Sequence, residues 1–194
     1  MKTSNCDGLP TRCAKADAGN NGKYIAAVTA KNAKIISING IPSSLYQALG
    51  DNVNTWVSKQ NSDVKFRKMP VPWSQVHQLH AALYYTINAL KLDPSTHSAV
   101  FVTIHKEGNF LQNPKAIQDF LSKFGVAPEV TLQYLNSFTV EQRINRSIKF
   151  AKQLKITGVP TMIVDGTYII EPKRSYDELL KVVDHVVELQ RPNS

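Results

Sequence analysis

Hydrophobic residues in this chain repeat with one period near its two ends and with another between them. Near the front, Lys23 to Ala30 (Lys-Tyr-Ile-Ala-Ala-Val-Thr-Ala) has the β-branched and aromatic content of a strand. Lys34-Ile-Ile-Ser-Ile38 is a second apolar run, ended by Asn39-Gly40. Tyr46 to Lys59 then carries Leu49, Val53, Trp56 and Val57 at helical spacing, with Pro42 near the helix start, where a proline loses no hydrogen bond. Val64-Lys-Phe-Arg-Lys-Met69 alternates as a third strand, and Pro70 and Pro72 stop it. From Trp73 to Lys155 only helical spacing recurs. Trp73 to Leu92 carries Val76, Leu79, Leu83, Ile87 and Leu90; Ser98 to Glu107, Pro114 to Phe124, Pro128 to Asn136 and Val140 to Lys155 follow, with Asn113 as an N-cap. Thr157-Gly-Val-Pro160 breaks the pattern. Strands return at Thr161 to Asp165 and Thr167 to Ile170, joined by an Asp165-Gly166 turn, and Tyr176 to Gln190 closes the chain as an amphipathic helix.

The order is therefore β, β, α, β, a block of helices, then β, β, α. Strand–helix–strand followed by a hairpin and a last helix is the thioredoxin topology, divided here by the helical block. The expected class is α/β, a thioredoxin fold with an inserted all-helical domain. Residues 22–69 and 156–191 are expected to form the thioredoxin-like domain and 70–155 the helical insertion. Residues 1–21 are expected to be an N-terminal extension.

Composition narrows the function classes. With 194 residues, 42% of them hydrophobic, the chain can build one domain with a sizeable insertion. Its net charge is 23 − 15 = +8, but Lys and Arg are scattered and never occur three in a row, so a nucleic-acid footprint is not expected. No apolar run reaches the ~18 residues of a membrane span. Met1-Lys2-Thr3 leads into polar Ser4-Asn5, which reads as a mature form with no signal peptide.

The two cysteines, Cys6 and Cys13, enclose Gly8 and Pro10. A small disulfide-closed loop is the expected state and implies an oxidising compartment; two free thiols are the alternative. Metal binding is not expected there, because the spacing is wrong for a thiolate site and no histidine is near.

Three segments resemble the DsbA family: Gly158-Val-Pro-Thr-Met-Ile-Val-Asp-Gly-Thr-Tyr168, Ser98 to Val126, and Gly22-Lys-Tyr24 through Tyr46-Gln47. The first is similar to the family's segment around its cis-proline. The resemblance implies a Cys-Pro-x-Cys motif at the first helix N-terminus, where the dipole and first-turn N–H groups stabilise a thiolate; DsbA itself is a standard low-pKa example. The matching positions read Ile41-Pro42-Ser43-Ser44, with Ile41 in place of the nucleophile and Ser44 in place of the resolving cysteine. Leu45 leaves two registers open, and both lack cysteine. The family's buried acid in the preceding strand is also missing from Lys34-Ile-Ile-Ser-Ile38. The motif is degenerate, and no catalytic residue is expected there.

What the resemblance leaves is binding. In the family the residue before the cis-proline pairs its backbone with an extended substrate segment, which assigns peptide binding to Val159 and Pro160, with Ile41 and Pro42 as an apolar patch opposite. The alternative is that Val159-Pro160 only closes the fold. The expected function is a redox-inactive, DsbA-like periplasmic or envelope protein that is peptide-binding, chaperone-like or an assembly factor. Its expected partner is an extended or unfolded polypeptide or an envelope protein, with no cofactor. The alternatives are a thiol–disulfide oxidoreductase using Cys6 and Cys13, and a scaffold subunit of an envelope complex. His77 and His80, three apart on one helix, form a weak metal pair without a third ligand; His97, His105 and His185 read as structural. Asn145-Arg-Ser147 matches a glycosylation acceptor inside a predicted helix and reads as chance.

Overall fold

The computed structural model describes residues 14–15, 33–39, 53–171 and 175–191. The expected strand at Lys23 to Ala30, both cysteines and Ile41 to Ser44 lie outside them. The described residues fall into two compact units, one of residues 14–15, 33–39, 53–69, 153–171 and 175–191, the other of residues 70–152.

The first unit is built on a five-stranded sheet of order β1-β5-β4-β2-β3. Its strands are β1 (Ala14–Lys15), β2 (Ala33–Asn39), β3 (Val64–Pro70), β4 (Thr161–Val164) and β5 (Tyr168–Ile170). Strand β4 is antiparallel to both neighbours, with Ile36 opposite Ile163 on one side and Ile169 opposite Ile163 on the other. All four of its residues are buried, which is why Thr-Met-Ile-Val runs apolar without alternating. The hairpin from β4 to β5 turns through Asp165 (φ 51°) and Gly166 (φ 67°), closed by Thr167 N–H donating to the Val164 carbonyl at 3.0 Å. Two successive positive φ values give the turn the twist that hairpin strands require. Ala14–Lys15, in the segment expected to precede the domain, pairs antiparallel with Tyr168–Ile169 at the sheet edge.

Two helices complete this unit: α1, described over residues 53–58, and α7 (Tyr176–Gln190). Helix α7 begins in a capping sequence, Ser175-Tyr-Asp-Glu178, whose Ser175 hydroxyl accepts the Glu178 N–H at 3.2 Å. Its apolar stripe of Leu179, Leu180, Val182, Val183, Val186 and Val187 is buried with Met162, Val164, Ile170, Val53 and Trp56 in one core. Each such side chain contributes roughly 1.5–3 kcal/mol on burial. Asp184 accepts from Trp56 Nε1 at 2.7 Å and Gln60 Nε2 at 3.2 Å, tying α7 to α1. At the helix end Arg191 grips Asp63 through Nε at 2.9 Å and a second nitrogen at 3.3 Å. The Arg191 hydrogen bond holds the Asp63 carboxyl below its ordinary pKa.

The second unit is helical: α2 (Gln75–Ala89), α3 (Ser95–His105), α4 (Pro114–Ser122), α5 (Pro128–Leu135) and most of α6 (Phe138–Gln153). Leu83, Ile87, Ile104, Leu111, Ile117, Phe120, Leu121 and Val140 form its core. Asn113 caps α4 by accepting the Ala116 N–H at 2.9 Å, as expected. Several helix boundaries differ from the sequence reading by one to three residues, and three of the differences have a local cause. Helix α3 starts three residues earlier than Ser98, because Pro94 presets a helical φ of −54° and the Asp93 carboxylate accepts the Ser95 N–H at 2.8 Å. Helix α2 ends at Ala89 and α6 at Gln153, because Lys91 (φ 53°) and Lys155 (φ 52°) turn left-handed just beyond. At Lys91 the pattern is a Schellman closure, with Leu92 N–H donating to the Ile87 carbonyl and Lys91 N–H to that of Asn88.

Candidate functional site

The segment leading into β4 is the described part of the site. Thr157 is exposed, Gly158 and Val159 are half-buried, and Pro160 and every residue of β4 are buried. The Val159–Pro160 bond is cis. Thr161 Oγ1 donates to the Gly158 carbonyl at 2.8 Å, which satisfies a buried hydroxyl and pins the turn to the start of the strand. Among the described residues neither the Val159 N–H nor its carbonyl has a hydrogen-bond partner. The arrangement is a turn held to the head of a buried strand, with half-buried Val159 unpartnered through its backbone among the described residues. Chemically it can donate and accept a backbone hydrogen bond; it carries no acid, base or nucleophile.

The other residues singled out in the sequence separate. His80 is buried at 2% exposure, and its Nε2 donates to the Phe110 carbonyl at 2.9 Å, tying α2 to the loop before α4. His77 stands three residues earlier with Trp73 edge-on to its ring at 6.4 Å. Burial, and then the nearness of His80, push its pKa down. Among the described residues no three His, Cys, Asp or Glu side chains come together as metal ligands. His97 lies against Tyr84 at 5.0 Å and His105 against Phe101 at 4.4 Å, whereas His185 is exposed on α7. Ser147 of the glycosylation-like triplet is fully buried on α6 and shares a 2.6 Å hydrogen bond with the Tyr85 hydroxyl, whereas Asn145, the triplet's acceptor residue, is exposed.

One surface escaped the sequence reading. Phe138, Thr139, Gln142, Arg143, Asn145, Arg146 and Lys149 line a depression of about 590 Å³ along α6. The signal was present: Phe138, Gln142, Asn145 and Lys149 recur at i, i+4, i+7 and i+11, but charges scattered along a sequence hide their convergence on one helix face.

A model of the DSBA-like thioredoxin domain matches residues 46–184. The chain belongs to that family. Among curated relatives, the thiol:disulfide interchange protein DsbA of Burkholderia cepacia is 34% identical over 138 residues, 70% of this chain and 65% of that protein. DsbA of Azotobacter vinelandii is 31% identical over 142 residues, 72% of this chain and 66% of the relative. The matched stretch thus spans a little under two thirds of either relative. Among solved structures, Pseudomonas aeruginosa DsbA superposes with a TM-score of 0.82 at 25% identity, covering 94% of this chain and 93% of that one. The thioredoxin fold with its helical content is the family's fold. The matched model begins at residue 46, just past Ile41-Pro42-Ser43-Ser44, and the 194 residues contain no Cys-x-x-Cys.

Proposed function

We propose that this chain is a peptide-binding member of its family, acting in the periplasm or cell envelope as a chaperone-like or assembly factor without dithiol chemistry at residues 41–44. The observation that supports this most is the half-exposed Val159 peptide unit, unpartnered among the described residues and held at the head of a buried strand. An extended polypeptide adds to such a unit by backbone hydrogen bonds, which favours clients by conformation rather than by sequence. The family resemblance adds Ile41 and Pro42 as apolar contacts and leaves no thiol at Ile41 or Ser44. A solved Proteus mirabilis DsbA, 20% identical, holds a non-covalently bound peptide of sequence PWATCDS. That protein lends the reading a precedent within the fold.

A second reading has one point in its favour: the curated relatives are named thiol:disulfide interchange proteins, and this chain keeps two cysteines, Cys6 and Cys13. Insulin reduction and peptide-dithiol oxidation separate the two readings when wild type is run beside a Cys6→Ser/Cys13→Ser variant. The proposal expects background rates in both, because a serine hydroxyl neither forms a disulfide nor ionises near neutral pH. Activity in the wild type that vanishes in the variant establishes the second reading instead. Activity that survives in the variant refutes both.

A further inference from the structure

From the depression on α6 we infer a second binding surface, for an acidic, extended polypeptide segment. Its floor is one helix face. Phe138, Gln142, Asn145, Arg146 and Lys149 fall along a stripe about 16 Å long at 1.5 Å rise per residue, and Arg143 flanks it. None of Arg143, Arg146 and Lys149 is paired with a carboxylate among the described residues. The lone carboxylate of α6, Glu141, does not line the depression. Arg143 is positioned in advance: its guanidinium lies 5.8 Å from the centre of the Tyr85 ring, and the Tyr85 hydroxyl is itself held by Ser147 at 2.6 Å. Phe138, 73% exposed, leaves an aromatic face at the head of the stripe.

These features select the occupant. Three cations ask for carboxylates or phosphates, and the amides of Gln142 and Asn145 ask for backbone groups beside them. A strand advances about 3.3 Å per residue, so some five extended residues cover the stripe, alternate ones facing it. A bilayer surface fits less well. A helix that lies in a membrane interface needs a continuous apolar face, and the exposed side of this depression offers Phe138 alone. The surface is therefore suited to a client or partner segment in which acidic residues alternate with others and one apolar side chain reaches Phe138. It shares no residue with the Val159 turn, so the two proposals stand or fall separately.

The test is fluorescence anisotropy on the full chain with a labelled heptapeptide alternating glutamate and alanine and ending in phenylalanine. Its lysine-for-glutamate counterpart, and vesicles of phosphatidylethanolamine and phosphatidylglycerol at 3:1, are run in parallel. Binding to the acidic peptide is expected, none to the basic one, with affinity falling steeply as salt is raised, since exposed charges are screened. Arg146→Glu/Lys149→Glu should weaken acidic-peptide binding about tenfold or more while circular dichroism stays unchanged, both side chains being exposed. Equal binding of the acidic and basic peptides overturns the inference, as does an affinity the double variant leaves untouched. Vesicle binding without acidic-peptide binding overturns it in favour of a lipid surface.

Discussion

His77 is half-buried on α2, with Trp73 against its ring and His80 one turn on, and these surroundings favour its neutral form. Its folded-state pKa is lowered, so between that value and the free one near 6.5 the unfolded chain binds the proton more readily. The contribution is complete above the free value and is lost as pH falls through the folded one. Thermal unfolding followed from pH 7.5 down to 5.5 should show a falling Tm, with a smaller fall in His77→Gln. Identical slopes would place the effect elsewhere. At Ser147 the issue is a buried hydrogen bond. Ser147→Ala removes a partner of the Tyr85 hydroxyl and should cost about 1–3 kcal/mol in urea unfolding, since a buried polar group left short of partners keeps its desolvation cost. Neither role was legible in the sequence, where Ser147 reads as part of a chance triplet and His77 as half of a metal pair. What decides both is the neighbour that tertiary packing supplies.

Elements were read more surely than their ends. Strand β4 was recognisable because a fully buried strand shows as a short unbroken apolar run, and α7 because its buried aliphatics keep helical period. The ends of α2 and α6 were misread for one reason: each is followed by a lysine in the left-handed region, a place where glycine is the usual signal. The N-terminus of α3 lies three residues before the Ser98 of the sequence reading, because its start is set by Pro94 at the cap and by the Asp93 carboxylate, which accepts the Ser95 N–H, and neither belongs to the apolar periodicity. Because α7 covers the strands that carry the Val159 turn, its packing should control the stability of the whole unit. Leu179→Ala, at a position 1% exposed, should lower unfolding free energy by about 2–5 kcal/mol in urea titration. A loss below about 0.5 kcal/mol, the level of ordinary surface substitutions, would show that α7 is not part of the core.

At the scale of the molecule, the thioredoxin topology and the helical block followed from the change of hydrophobic period, and the Gly-Val-Pro-Thr segment pointed to the turn before β4. The half-buried Val159 peptide unit, unpartnered among the described residues, was not readable in the same way, because its state depends on which backbone groups the surrounding elements leave unused. The α6 depression was hidden likewise, its cations lying three residues apart in a chain already basic throughout. Reduction of Cys6 and Cys13 is expected to leave both units folded, since the loop they would close is short and precedes the apolar periodicity that builds the cores; unchanged circular dichroism in mild reductant checks this. The central claim is that an extended peptide adds to the Val159 backbone without any thiol. The most direct measurement is amide chemical-shift mapping by nuclear magnetic resonance with an extended peptide that lacks cysteine, recorded with and without reductant. The Val159 amide and its neighbours at Thr157, Gly158 and Thr161 should shift on titration, by the same amount in both conditions. An unmoved Val159 amide, or a response present only without reductant, would contradict the account.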